Sequence, residues 1–129
     1  MNTSTQDCIF CKIAKKELPT KIIFEDEDCL AFNDIKPASP THILVIPKIH
    51  IKNLWEVEDA VGTLHATSLL GKLLLTAKEI AKKENLAEGF RTVINTGDNG
   101  GQTVYHLHLH VLGGRFHKWP PGCKVNAKI

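Results

Sequence analysis

No run of apolar residues in this 129-residue chain approaches the ~20 that a bilayer-spanning helix needs, so a membrane-spanning role is excluded from the reading. No block of five or more like charges occurs, and the formal net charge is only +2. That leaves little electrostatic footprint for nucleic acid, and a nucleic-acid partner is not expected. Lys-rich stretches such as 78–83 read as solvated helix faces. The first residues are polar and hold no apolar signal-peptide core, which points to the cytoplasm, with the nucleus as a second location. Thiols stay reduced there, so the four cysteines read as thiols or metal ligands and not as a disulfide framework. Repeats, linkers and low-complexity tracts are lacking as well. Residues 1–129 therefore read as one domain with a modest core, about 1–7 as a flexible start and 113–129 as an irregular tail.

What is present alternates between short strand-like and helix-like segments. Residues 8–16 carry a partial apolar face, Ile9, Phe10 and Ile13, and predict a short helix ended by Pro19. Strands are predicted over 21–25 and 29–33, with the acidic run Asp26-Glu27-Asp28 as the turn between them. A third follows over 42–46, stopped by Pro47. Apolar residues recur near helical spacing over 60–83 (Val61, Leu64, Leu70, Leu73, Leu74, Ala77, Ile80, Ala81), although Gly62 and Gly71 weaken the segment. Strands over 90–95 and 103–112 flank a glycine-rich loop at 96–102. The sum is an α+β domain: a five-stranded antiparallel sheet with one long helix and a short N-terminal helix. The leucines at 69, 70, 73, 74 and 75 form a wider stripe than one core face requires, which leaves area for a second subunit.

The sharpest local feature is His106-Leu107-His108-Leu109-His110. In extended backbone, alternate side chains share a face, so three imidazoles would stand in a row ~6–7 Å apart, with Tyr105, Leu107, Leu109 and Val111 turned toward the core. On a helix the same residues would scatter by about 200° per step. A solvated polar strand face and a pure metal cluster are the bland alternatives. Against them, neutral imidazole is a good nucleophile that titrates near pH 7, and one ring of a row can be oriented by its neighbours. His108 is the candidate nucleophile. The preceding loop, Thr96-Gly97-Asp98-Asn99-Gly100-Gly101-Gln102-Thr103, can gather backbone N–H groups into an anion nest, although it lacks the Gly-Lys-Ser/Thr of a P-loop.

These residues resemble the histidine triad family. His106-Leu-His-Leu-His-Val-Leu112 is similar to its His-x-His-x-His signature. Lys21-Ile-Ile-Phe-Glu-Asp, Leu30-Ala-Phe-Asn-Asp-Ile, Pro40-Thr-His-Ile-Leu-Val-Ile-Pro-Lys, the run from Gly100 to Arg115, and Trp119-Pro-Pro-Gly122 resemble its Hint branch in order along nearly the whole chain. The resemblance implies a HIT-like fold and a homodimer that binds purine nucleotides. It implies an adenosine phosphoramidase that hydrolyses AMP–amine bonds through a nucleotidyl-histidine at His108. His106, His110 and His42 would assist. Asp34 would accept the ribose hydroxyls, and Phe10, Ile13, Phe32, Asn33, Ile35 and Leu44 would line the base. Asn95, Gly101, Gln102 and Thr103 would surround the phosphate, and Trp119 would reach the partner subunit's site. Thr103 and Asn33 depart from the pattern, which has Ser and His there. The stretch between His50 and Asn95 is a few residues longer, and seven residues follow Gly122.

Cys8-x-x-Cys11 is half of a zinc-finger spacing, and two cysteines on one helix face packed in the core would read the same way. The resemblance adds His50 and His106 as the other two ligands of a structural Zn²⁺ that the chemistry itself does not require. Cys29 and Cys123 read as ordinary thiols, and His65 and His117 as surface residues. The competing functions are a dinucleoside polyphosphate hydrolase or nucleotidyl transferase, and a zinc- and nucleotide-binding interaction module without turnover.

Overall fold

The structure, a computed structural model, describes residues 7–121. The expected flexible start before Asp7 and the tail beyond Pro121, including Cys123, lie outside these residues. Helix α1 (Ile9–Ala14) is followed by strands β1 (Ile22–Glu25), β2 (Cys29–Asn33) and β3 (Thr41–Pro47). A single 3₁₀ turn then leads into α2 (Val57–Val61), α3 (Thr63–Lys83), β4 (Phe90–Val93) and β5 (Leu109–Gly113). The strands form one antiparallel sheet in the order β1-β2-β3-β5-β4. The predicted acidic turn is real: Asp26 Oδ1 accepts the N–H groups of Asp28 and Cys29 at 2.8 and 2.9 Å, an Asx turn. Among the described residues, no helix is long and apolar enough to cross a membrane.

The two-residue period of the strands sorts side chains onto two faces. Cys29 and Ala31, Ile43 and Val45, and Leu109 and Val111 pack with Leu69, Leu73, Ala77 and Ile80 of α3. Leu30 and Phe32, with Leu44 and Ile46, pack on the opposite face with Cys8, Phe10, Cys11 and Ile13 of α1. His42 and His110 share that second face through the register, since Leu44 pairs with His110 and His42 with Leu112.

The strand expected over 90–95 ends at Val93, and two elements differ further from expectation. The segment over 60–83 is two helices. Gly62 adopts φ +86°, a left-handed conformation open to glycine, and α3 starts only at Thr63. Leu73, Ala77, Ile80 and Ala81 are buried as expected and are joined by Ala66, Leu69 and Thr76, whereas Leu64 stands 89% exposed and Leu74 is exposed too. The strand over 103–112 also shrinks to Leu109–Gly113. The β3–β5 register pairs Val45 with Leu109, and two steps further it would place Pro47 opposite Leu107. Proline has no N–H to continue the ladder. Its carbonyl is already taken by the His106 ring at 2.9 Å, and Leu107 N–H donates to Ile51 O at 2.7 Å instead.

Candidate active site and metal cluster

Of the three alternating histidines, only His110 lies on a strand. His106 and His108 precede it in irregular backbone that keeps the alternation, because Leu107 is held in the α3-side core. Tyr105, expected to face that core, instead donates its phenol to Asp98 of the glycine loop. The rings still form a chain. His108 and His110 centroids are 5.0 Å apart, and His110 and His42 are 5.1 Å apart. Phe10 packs edge-on against His108 at 5.1 Å and His106 at 5.9 Å.

Acceptor-only carbonyls and donor-only amides fix the proton on each ring. His108 Nδ1 lies 2.7 Å from the His106 carbonyl, so Nδ1 carries the hydrogen and Nε2 keeps its lone pair. His42 Nδ1 accepts the Ala38 N–H at 2.9 Å, so the His42 proton is on Nε2, 2.9 Å from His110 Nδ1. His110 Nδ1 then accepts, which leaves Nε2–H of His110 as a donor. One face thus presents a nucleophilic nitrogen on His108 beside a hydrogen-bond donor on His110.

Burial pushes the His42 and His108 pKa values down. It pushes His110 down to about 4, with like charge on His108 and His42 adding to the shift. The rings are therefore neutral at pH 7, as a nucleophile requires. The unfolded chain binds the His110 proton near 6.5 and the folded chain near 4, so stability is lost as pH falls below 6.5, while above it nothing changes. Between pH 6.5 and 5, above the ordinary carboxylate range, His110 alone is expected to cost about 2 kcal/mol. Urea denaturation across that window checks it; a flat profile, or one unchanged in His110→Gln, refutes it.

A second cluster lies at the near end of the row. Cys8, Cys11, His50 and His106 bring four donor atoms within 4.8 Å of one another. Nδ1 of His106 is 3.3 Å from Cys8 Sγ and 3.5 Å from Cys11 Sγ, and Nδ1 of His50 is 3.2 Å from Cys11 Sγ. A tetrahedron with Zn–S and Zn–N bonds of ordinary length has S···N edges of about 3.5 Å, so the set fits zinc. The His106 tautomer fits as well, since Nε2–H donates to the Pro47 carbonyl and frees Nδ1 for a metal. Asp34, His42 and His110 form another three-donor group. There the backbone argues against a metal. A cation on His42 Nε2 would need the proton on Nδ1, where the Ala38 N–H already points.

Phe10, Ile13, Phe32 and Leu44 are brought together as a buried wall beside His108. Ile35 is not among them and stands 91% exposed. Asn33 is exposed at the end of β2, and Asp34 is half-buried, its Oδ2 3.4 Å from His42 Nε2. Asn95 is half-buried just after β4, Gly101 and Thr103 are exposed, and Trp119 is 81% exposed. His65 is exposed as expected. His117 instead lies 2.8 Å from Ser39 Oγ through its Nε2.

Gln102 is corrected from phosphate ligand to loop staple. Its Oε1 accepts Gly97 N–H and Asn53 Nδ2, and its Nε2 donates to the carbonyls of Lys52 and Val104, which uses the whole amide. Around it, Gly101 takes φ +85°, and a Cβ on Gly100 would strike the Thr96 backbone. Asn53, the second member of this staple, was invisible to sequence reasoning because nothing local marks it. Gln102→Leu is expected to cost about 2–4 kcal/mol in chemical denaturation, from the stranded partners. A loss under about 0.5 kcal/mol would contradict the staple.

The chain aligns with known proteins over most of its length. It is 50% identical over 121 residues to adenylylsulfatase HINT1 of Arabidopsis thaliana, covering 92% of this chain and 79% of that protein. It is 49% identical over 118 residues to the 14 kDa zinc-binding protein of Brassica juncea, covering 90% and 100%. The crystal structure of a HIT family hydrolase from Legionella pneumophila superposes with a TM-score of 0.81 at 49% identity, covering 89% of this chain and 99% of that one. The HIT domain model itself matches residues 15–117, and the chain belongs to the HIT domain family.

Proposed function

We propose that this protein hydrolyses purine nucleoside phosphoramidates by transient nucleotidyl transfer to His108. The observation that carries the reading is the His106 carbonyl on His108 Nδ1, which commits the Nε2 lone pair to attack beside the Nε2–H of His110. The α-phosphoryl group would sit between His108 and the glycine loop, with Asn95 and Thr103 around its oxygens, since the Gly101 N–H already donates to the Asp98 carbonyl at 3.0 Å. His110 would hold one non-bridging oxygen, where charge grows in the transition state. His108 Nε2 bonds to phosphorus as the P–N bond breaks toward the amine, which takes up one proton from solvent; water then attacks phosphorus, gives up one proton, releases the nucleotide and restores neutral His108. The base would rest against Phe10, Phe32 and Leu44, and the ribose diol on Asp34. The experiment is turnover of a fluorogenic AMP–amine by the protein, with capture of the acid-labile nucleotidyl adduct after an alkaline, denaturing quench. A protein that binds AMP and turns over none of the substrate is an interaction module instead.

A second reading keeps the nucleotidyl-histidine and changes the leaving group to sulfate, as the name of the Arabidopsis relative suggests. We also assign the Cys8, Cys11, His50 and His106 cluster to a structural Zn²⁺, a reading the Brassica relative's name supports. Its chemistry here is scaffolding. The metal would anchor His106, the residue whose carbonyl orients His108. A homodimer remains part of the proposal, supported by Leu64, Leu74 and Leu75, which α3 leaves exposed.

A further inference from the structure

Beyond His110 the same sheet face continues into a groove that the reaction above does not use. The β4–β5 register places Val93 beside His110 and Arg91 beside Leu112, one pleat repeat (~6–7 Å) further along. Val93, Arg91 and Leu112 line a groove of about 630 Å³ together with Arg115 and Lys118, and no Asp or Glu is among its lining residues. Asn95 and Gly100 also line it, so it runs up to the glycine loop. The two arginines are held in place by backbone. Arg91 Nη2 donates to His117 O at 3.2 Å, and Arg115 donates to Phe116 O at 2.9 Å and Ala38 O at 3.2 Å. A guanidinium has five N–H donors, so these contacts orient both side chains and leave donors over.

We propose that this groove receives the leaving group and selects one that carries an oxyanion, a carboxylate or a sulfate. The inference rests on the His108 reading. In-line displacement sends the departing atom away from His108 Nε2. The wall of Phe10, Phe32 and Leu44 fills the β2–β3 side for the nucleoside, so the β4 side is the direction left. A carboxylate two methylenes from the reacting nitrogen reaches about as far as the step from His110 to Arg91. The charged group takes no part in bond making: His108 Nε2 bonds to phosphorus, the P–N or P–O bond electrons leave with the departing group, and a departing amine takes up one proton from solvent.

The test compares kcat/KM for two AMP phosphoramidates of nearly equal shape, one of β-alanine and one of β-alaninamide, with AMP–sulfate as a third arm. The wild-type protein is expected to favour the carboxylate over the amide by about tenfold at low salt, fading as salt rises. The ratio is expected to fall toward one in Arg91→Gln and to invert in Lys118→Glu, whose exposed position keeps the test valid should the Arg91 variant fold poorly. Loss of AMP–sulfate turnover in the same variants identifies sulfate as the natural anion; an effect on β-alanine alone identifies a carboxylate-bearing amine. A wild-type ratio near one, or a ratio that no variant moves, overturns the proposal while leaving the phosphoramidase standing. Failure to cleave any of the three compounds sinks the His108 reading itself.

Discussion

His108→Ala is expected to lower kcat on an AMP–amine substrate by about 10⁴-fold, with AMP affinity kept within severalfold. The size follows from the absence of a substitute. His110 lies next to His108, but its Nδ1 accepts from His42, so its Nε2 bears a proton and offers no lone pair. His42 has its Nδ1 occupied by the Ala38 N–H. His106 is wholly buried and turned to the cysteines. What survives the substitution is positioning and the His110 donor, so nucleotide still binds while the covalent route is closed. His110→Ala should cost less, about 10²-fold, because it removes one stabilising donor and no bond-forming atom. Steady-state rates, isothermal titration with AMP and mass spectrometry of the quenched protein separate these effects. Full activity in His108→Ala, or an adduct mapped to another residue, would end the mechanism.

That ranking of three adjacent imidazoles could not be made from sequence. The alternation of His106, His108 and His110 with Leu107 and Leu109 showed that the rings share a face, and that survives even where no strand exists. The reason is that Leu107 is buried at the same core as Leu109 and Val111. The strand itself was overextended because its limit lies on a different segment, at Pro47, 60 positions upstream of Leu107 in a register that local pattern does not reveal. Helix α3 was legible by period, yet its start was misplaced, because a single glycine at φ +86° can be a tolerated interior residue or a break and only the surrounding packing decides. Gln102 was misread for a related reason. A polar side chain beside a glycine-rich loop looks like a ligand until its four partners are known, and Lys52 and Asn53 are some 50 residues away. Tautomers are further still from the sequence, since each depends on one carbonyl or amide brought in by the fold.

The same carbonyl that sets the nucleophile makes metal removal the second large effect. Under the zinc proposal, purified protein should carry about one Zn²⁺ per chain by elemental analysis, and chelation should lower stability by about 3–5 kcal/mol, or some 10–20 °C in Tm for a domain of this size. The value is expected to stay below that of an isolated zinc finger because α3 and the sheet supply an independent core on the other face. Cys11→Ser and His50→Ala should each lose the metal. Cys29→Ser should keep it, because Cys29 is buried in the α3-side core among apolar residues. Loss of metal would free the His106 ring from the cysteines while its carbonyl still faces His108, so the nucleophile loses rigidity and not its identity. kcat should therefore fall by about tenfold with KM little changed, a split that general unfolding does not produce. Protein prepared without metal that melts at the same temperature, resists chelator and turns over at the full rate would remove zinc from the account and leave Cys8 and Cys11 as core packing.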